Sequence, residues 1–246
     1  MKGIIILFLA ASFNLSFSST TLDFITNEVA SLRNTEEGIL KLLSILSNEY
    51  LKDTNSYDVN WQLSAITYFY GDYYVKDSET KKKVFEQAKN FGLAAVKIKP
   101  DAPDGHYWLG IAYAKWSEAN GILSSLFYAD DVLEEMTKTV ELQPDFLWGL
   151  ALAVRSRVYS LAPGWPISVG DRKKAYIDIY QALKYAGNYR LVWKLYADLL
   201  VDDNKTEEAR KVIEKALSFP FDKRIPKEEE KTISELNELL KRVKRR

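Results

Sequence analysis

Few side chains in this sequence have the types and spacing that covalent chemistry needs. The one histidine, His106, has no second histidine with which to build a metal site, and a catalytic triad around it is not expected. Cysteine is absent. That removes disulfides, thiolate nucleophiles and cysteine metal ligands together, along with the lipid-carrying cysteine of bacterial lipoproteins. The densest carboxylates are Asp130, Asp131, Glu134 and Glu135. Acidic residues that open a helix complement its dipole from the solvent, so no metal site is read there. No phosphate-cradling glycine loop, nucleotide fingerprint or nucleophile–base set occurs. The expectation is a protein that is not an enzyme and carries no cofactor and no metal. Binding chemistry remains, in the form of aromatic faces, aliphatic faces and isolated cations, and its geometry depends on the elements that carry them.

Those elements repeat. Ala209 and Ala216 lie seven residues apart, and the spacing recurs at Ala175/Ala182, Val132/Thr139 and Ala88/Ala95. Residues i and i+7 share a helix face, and small residues there let a neighbouring helix approach closely. The steps from 88 to 132, 132 to 175 and 175 to 209 are 44, 43 and 34 residues. The last matches the tetratricopeptide (TPR) period of about 34, and the first two are longer. Trp193, Tyr196, Ala197 and Leu200 before Ala209 complete one such unit. In the second unit His106, Leu109, Gly110 and Tyr113 stand where the pattern places Trp, Leu, Gly and Tyr. His106 is therefore expected at a packing position with a hydrogen bond to backbone.

The predicted fold is all-α: a TPR-like helical repeat, or α-solenoid, of about four helix pairs with extended units, an N-terminal helix and a C-terminal capping helix. The extra residues fall at 119–128 and around Leu161-Ala162-Pro163-Gly164-Trp165-Pro166. Insertions in a repeat map to loops on one face, often the working face. The charged stretch 227–246 has Ile233, Leu236, Leu239, Leu240 and Val243 on one face, as a capping helix requires.

In TPR stacks the first helix of each unit faces a concave groove. Counting from the glycine-type position, the inward candidates are Gln62, Ile66 and Phe69, then Tyr107 and Ile111. Later units add Arg157, Lys194 and Asp198. The aromatic and aliphatic wall suits a small hydrophobic or elongated ligand, or a partner segment. An anionic group, such as that of an organic acid, would sit near Arg157 or Lys194. The opposing reading makes Phe69 and Ile111 core and Arg157 a solvated surface cation.

Acidic and basic residues balance at 34 each, so no net field draws the chain to nucleic acid. Met1-Lys2, the apolar run Ile4 to Ala11 and small polar Ser16, Ser18 and Ser19 have the layout of a secretory signal. The domain plan is 1–18 signal peptide cleaved near Ser18, 19–35 flexible lead-in and 36–246 TPR domain. The expected location is periplasmic or exported, without a lipid anchor. A retained N-terminal anchor is the alternative.

The segment Pro103 to Gly110, then Met136 to Pro144, Val158-Tyr159, Pro163-Gly164 and Gly170-Asp171 ahead of Ala175 resemble the T component of TRAP (tripartite ATP-independent periplasmic) transporters. That resemblance implies an accessory TPR subunit which binds the periplasmic substrate-binding protein of a transporter. It also implies a homo-oligomer, a trimer, with ligand in a cleft of each protomer. A weaker likeness runs to eukaryotic TPR regulators of microtubule dynamics, against which the export-type N-terminus argues. The reading from a different class is a structural TPR scaffold for envelope protein assembly, without a small-molecule site.

Overall fold

The computed structural model describes residues 20–26 and 31–245. The signal-like stretch 1–18 lies outside the described residues. The described chain is helical, with no strand among those residues and a single bridge between Gly164 and Gly170.

A short helix α1 (Thr21–Thr26) and a 3-10 turn (Leu32–Asn34) precede α2 (Glu36–Lys52). Four helix pairs follow: α3 (Tyr57–Tyr73) with α4 (Ser78–Ile98), and α5 (Pro103–Asn120) with α7 (Ala129–Leu142). Next come α8 (Phe146–Leu161) with α9 (Arg172–Ala186), and α10 (Arg190–Asp202) with α11 (Thr206–Leu217). The second pair is interrupted by α6 (Ile122–Phe127), and α12 (Pro226–Lys244) closes the chain. From α2 onward each helix packs on the next, and the first helices also pack on one another, α3 on α5 and α8 on α10. This is the predicted α-solenoid of two-helix units.

Local sequence explains the boundaries. Thr35, Ser56, Asp77 and Asp171 each accept a backbone N–H three residues on, so α2, α3, α4 and α9 start on side-chain caps. Pro103 and Pro226 occupy the first turn of α5 and α12, where a missing N–H costs nothing. The seven-residue pairs fall on the second helix of each unit, and all eight residues are buried. Small residues also sit where helices cross: a Cβ on Gly92 would come within 2.9 Å of the Leu109 Cα.

The third unit departs from regular geometry at its start. Leu147, Trp148 and Gly149 have φ of 46°, 56° and 83°, so α8 becomes regular only after Gly149. This left-handed turn explains why the repeat register cannot be read off this unit.

Of the segment expected as a flexible lead-in, residues 20–26 and 31–35 are described. Thr21, Phe24, Ile25 and Arg33 are buried. Phe24 meets Trp61 edge to face at 5.4 Å between ring centroids, and Trp108 Nε1 donates to Thr21 Oγ1 at 3.0 Å. The Thr21 backbone N–H donates to Asp104 Oδ1 at 2.7 Å. A six-residue helix holding three apolar residues, Leu22, Phe24 and Ile25, has too little periodicity to announce such docking.

Two cores result. The larger runs through α1 to α10. The smaller joins α10, α11 and α12 around Leu200, Ile213, Leu236 and Leu239.

Candidate interaction surfaces

Gln62, Ile66, Phe69 and Tyr107, expected along a groove wall, are buried side chains. Phe69 stacks on Tyr73, lies edge-on to Trp108 at 5.4 Å and carries the Arg33 guanidinium 4.2 Å above its ring. Tyr107 joins the same cluster, 5.0 Å from Trp108. The structure thus brings Phe69 and Tyr107 together through Trp108, as core. Ile111 is half-buried against that core. The two cations expected to await an anion already have carboxylates: Arg157 pairs with Asp202, and Lys194 with Asp198 at 3.0 Å and Glu235 at 2.9 Å. Burial would lower the Lys194 ammonium, but these carboxylates hold it above its usual value. Close helix packing has filled the inner face with the chain's own side chains.

The phenols of Tyr68, Tyr73, Tyr107 and Tyr189 belong to that inner face. Burial pushes all four well above the usual tyrosine range, so they are neutral hydroxyls. Among the described residues no group of three or more His, Asp or Glu side chains is placed to hold a metal. No helix among them is long and apolar enough to cross a membrane.

His106 packs in α5 with Nδ1 2.6 Å from Glu135 Oε2 and Nε2 2.9 Å from the Pro100 carbonyl. Burial alone would lower the imidazole, but both acceptors favour the protonated ring and raise it above its ordinary value. A raised folded value means that the folded state holds the proton more tightly. This stabilisation is complete below about pH 6.5 and is lost as pH rises through the folded value. Urea midpoints should fall over that window in the unaltered protein, and His106→Gln should flatten the fall. An equally steep decline in the variant would place the titrating group elsewhere.

The insertions lie on the edge where first helices hand over to second helices. Two of these connections are enlarged, and both expose large apolar side chains. In α6, Ile122, Leu123 and Phe127 are 83%, 74% and 78% exposed. In the connection from α8 to α9, Trp165 is 90% and Ile167 77% exposed. That loop is pinned by its backbone. Gly170 N donates to Pro163 O at 2.9 Å, Ile167 N to Gly164 O at 3.1 Å and Asp171 N to Tyr159 O at 3.0 Å. Beside α6, Lys89, Leu93, Tyr113, Tyr128 and Asp131 line an open groove of about 550 Å³. The usable signal was apolar residues inside an insertion, Ile-Leu after Gly121 and Trp between Gly164 and Pro166.

Comparison with known proteins agrees with the architecture. A thermophilic TPR protein of Thermus thermophilus, solved by crystallography, superposes with a TM-score of 0.63 at 17% identity. The match covers 87% of this chain and 96% of that one. No curated protein sequence matches the chain. The family model described as "Regulator of microtubule dynamics protein 1-3" matches residues 25–153, just over half of the 246 residues. This match overturns the resemblance to the T component of TRAP transporters, the resemblance on which the substrate-binding subunit and the trimer rested. The residues that carried it serve local structure: Pro103 starts a helix, Gly110 lies at a helix crossing and the Pro163–Gly170 loop is a hydrogen-bonded insertion. The weaker likeness is the correct one: the chain belongs to the regulator of microtubule dynamics protein 1-3 family.

Proposed function

We propose that the protein is a TPR scaffold without a catalytic site, which docks a partner protein along the edge formed by α6 and the 162–171 loop. The carrying observation is the rigid display of Trp165: a loop tied by its own backbone hydrogen bonds holds an indole 90% in solvent. Single exposed apolar residues are ordinary, but aromatic and aliphatic tips from neighbouring units on one edge mark an interaction site. A protein fits better than a bilayer. The charges flanking these tips alternate, with Lys81 to Lys83 and Arg172 to Lys174 against Asp130, Asp131, Glu207 and Glu208, and no basic field attracts anionic lipid.

The family description names microtubule dynamics, so polymerised tubulin is the first partner to test. The unaltered chain should co-sediment with microtubules. The Phe127→Ser, Trp165→Ser double variant should lose at least about tenfold in affinity, as expected for central aromatic anchors. Its melting temperature should hardly move, because neither side chain is packed. Equal sedimentation of the two proteins would remove the edge from the binding surface, and no sedimentation of either would remove tubulin.

A further inference from the structure

Helix α12 has two halves of different character. Leu236, Leu239 and Val243 in its second half are buried in the smaller core against α10 and α11. In the first half the buried residues are Glu229 and Thr232, both polar. This half is joined to the inner side of the solenoid by charge. Glu228 pairs with Arg33, Glu229 with Arg190, Lys231 with Asp72 and Glu235 with Lys194. Arg33 precedes α2, Asp72 closes α3, and Arg190 and Lys194 lie on α10. The first half of α12 therefore spans the inner side from the first unit to the last.

We propose that this inner wall is a groove for an acidic amphipathic helix of a partner protein, with the first half of α12 as its built-in, displaceable occupant. Charge complementarity carries the assignment. Without α12 the wall presents Arg33 and Arg190 as cations stripped of their carboxylates, Lys194 with Asp198 still at 3.0 Å, Asp72 with Lys115 still at 3.5 Å, and the neutral hydroxyls of Tyr73 and Tyr189. A helix reads this wall with carboxylates at positions i, i+1 and i+7 and a lysine at i+3, the spacing of Glu228, Glu229, Glu235 and Lys231. Exchange is feasible because of how such contacts are balanced. Attraction between paired buried charges is largely offset by their desolvation, whereas a lone buried charge is costly. One acidic helix can thus replace another with little net change, while an empty wall is disfavoured. The eight residues 218–225 link α11 to α12, and once the Arg190 contacts to the Phe219 and Pro220 carbonyls are released they let the first half leave while the second half stays.

The test uses the full chain. Glu228→Lys with Lys231→Glu places like charge against Arg33 and Asp72 while leaving the wall intact. Amide hydrogens of 226–235 should exchange at least tenfold faster in this variant, with 236–244 still protected. A fluorescent peptide of sequence 225–246 should bind the variant at least tenfold more tightly than it binds the unaltered chain. The same peptide carrying both reversals should not bind. Lys231→Ala, at a half-exposed position, is the milder second variant and should shift exchange in the same direction. Unchanged exchange in both variants would overturn the proposal, and so would equal peptide affinity in closed and opened chains. Phe127 and Trp165 are untouched, so this result is independent of the tubulin experiment.

Discussion

Replacing Arg190 with alanine should lower the free energy of unfolding by about 3–5 kcal/mol, the cost of stranding one member of a buried ion pair. Arg190 is buried at the start of α10. Its guanidinium donates to the carbonyls of Ala216 at 2.9 Å and Phe219 at 2.6 Å, and it pairs with Glu229. The side chain therefore ties three segments: α10, the end of α11 and the first turn of α12. Removal leaves the buried Glu229 without its cation, with only the Asp222 N–H at 3.2 Å, and takes a charged donor from two carbonyls. Arg190→Lys should recover only part of the loss, because one ammonium cannot reproduce the planar fork. Urea unfolding followed by circular dichroism reads the effect. A loss under about 1 kcal/mol would mean that water replaces the guanidinium at no cost, against the burial seen here.

Gly149→Ala should cost about 2–4 kcal/mol, since two penalties add there. The residue has φ of +83°, a region that side-chain-bearing residues avoid. An added Cβ would also lie 2.8 Å from the Ala182 carbonyl oxygen and 3.0 Å from its Cα. Those are backbone atoms of α9, so relief requires the α8–α9 crossing to open. Gly121 is the control: φ is +102° with nothing within 4 Å of a new Cβ. Gly121→Ala should show the conformational penalty alone, a distinctly smaller drop in thermal midpoint. Equal losses at the two sites would show that the crossing yields freely.

These two positions illustrate what sequence does and does not disclose. The alanine pairs were legible because helix packing imposes a fixed seven-residue rhythm, and all of them are buried where that rhythm places them. His106 was legible as a packing residue, and its Pro100 contact is the backbone bond expected of it. The left-handed turn at Leu147 to Gly149 was not, because two of its residues are ordinary helix formers held in that turn by tertiary packing. Counting inward positions correctly found the inner helices. It could not tell a groove from a closed wall, which is why Ile66 and Phe69 appear as core. The partners of α12 were invisible for another reason. Ion pairs between residues such as Lys231 and Asp72, 159 positions apart, leave no periodic trace. Family membership was obscured because the residues read for it are prolines and glycines, whose placement answers to helix starts, crossings and turns rather than to a partner.

The pairing of Arg33 with Glu228 joins residues 195 positions apart. An open solenoid behaves as a row of units that each feel only their neighbours, so it can fray from either end and grow by adding repeats. Here the two ends hold each other. Fraying the last unit breaks contacts of the first, which couples the loss of the terminal repeats. The same closure delays assembly, since this contact forms only after the intervening chain has been ordered and its loop entropy spent. It also sets the repeat number: a fifth unit stacked after α11 would have to occupy the place that α12 fills.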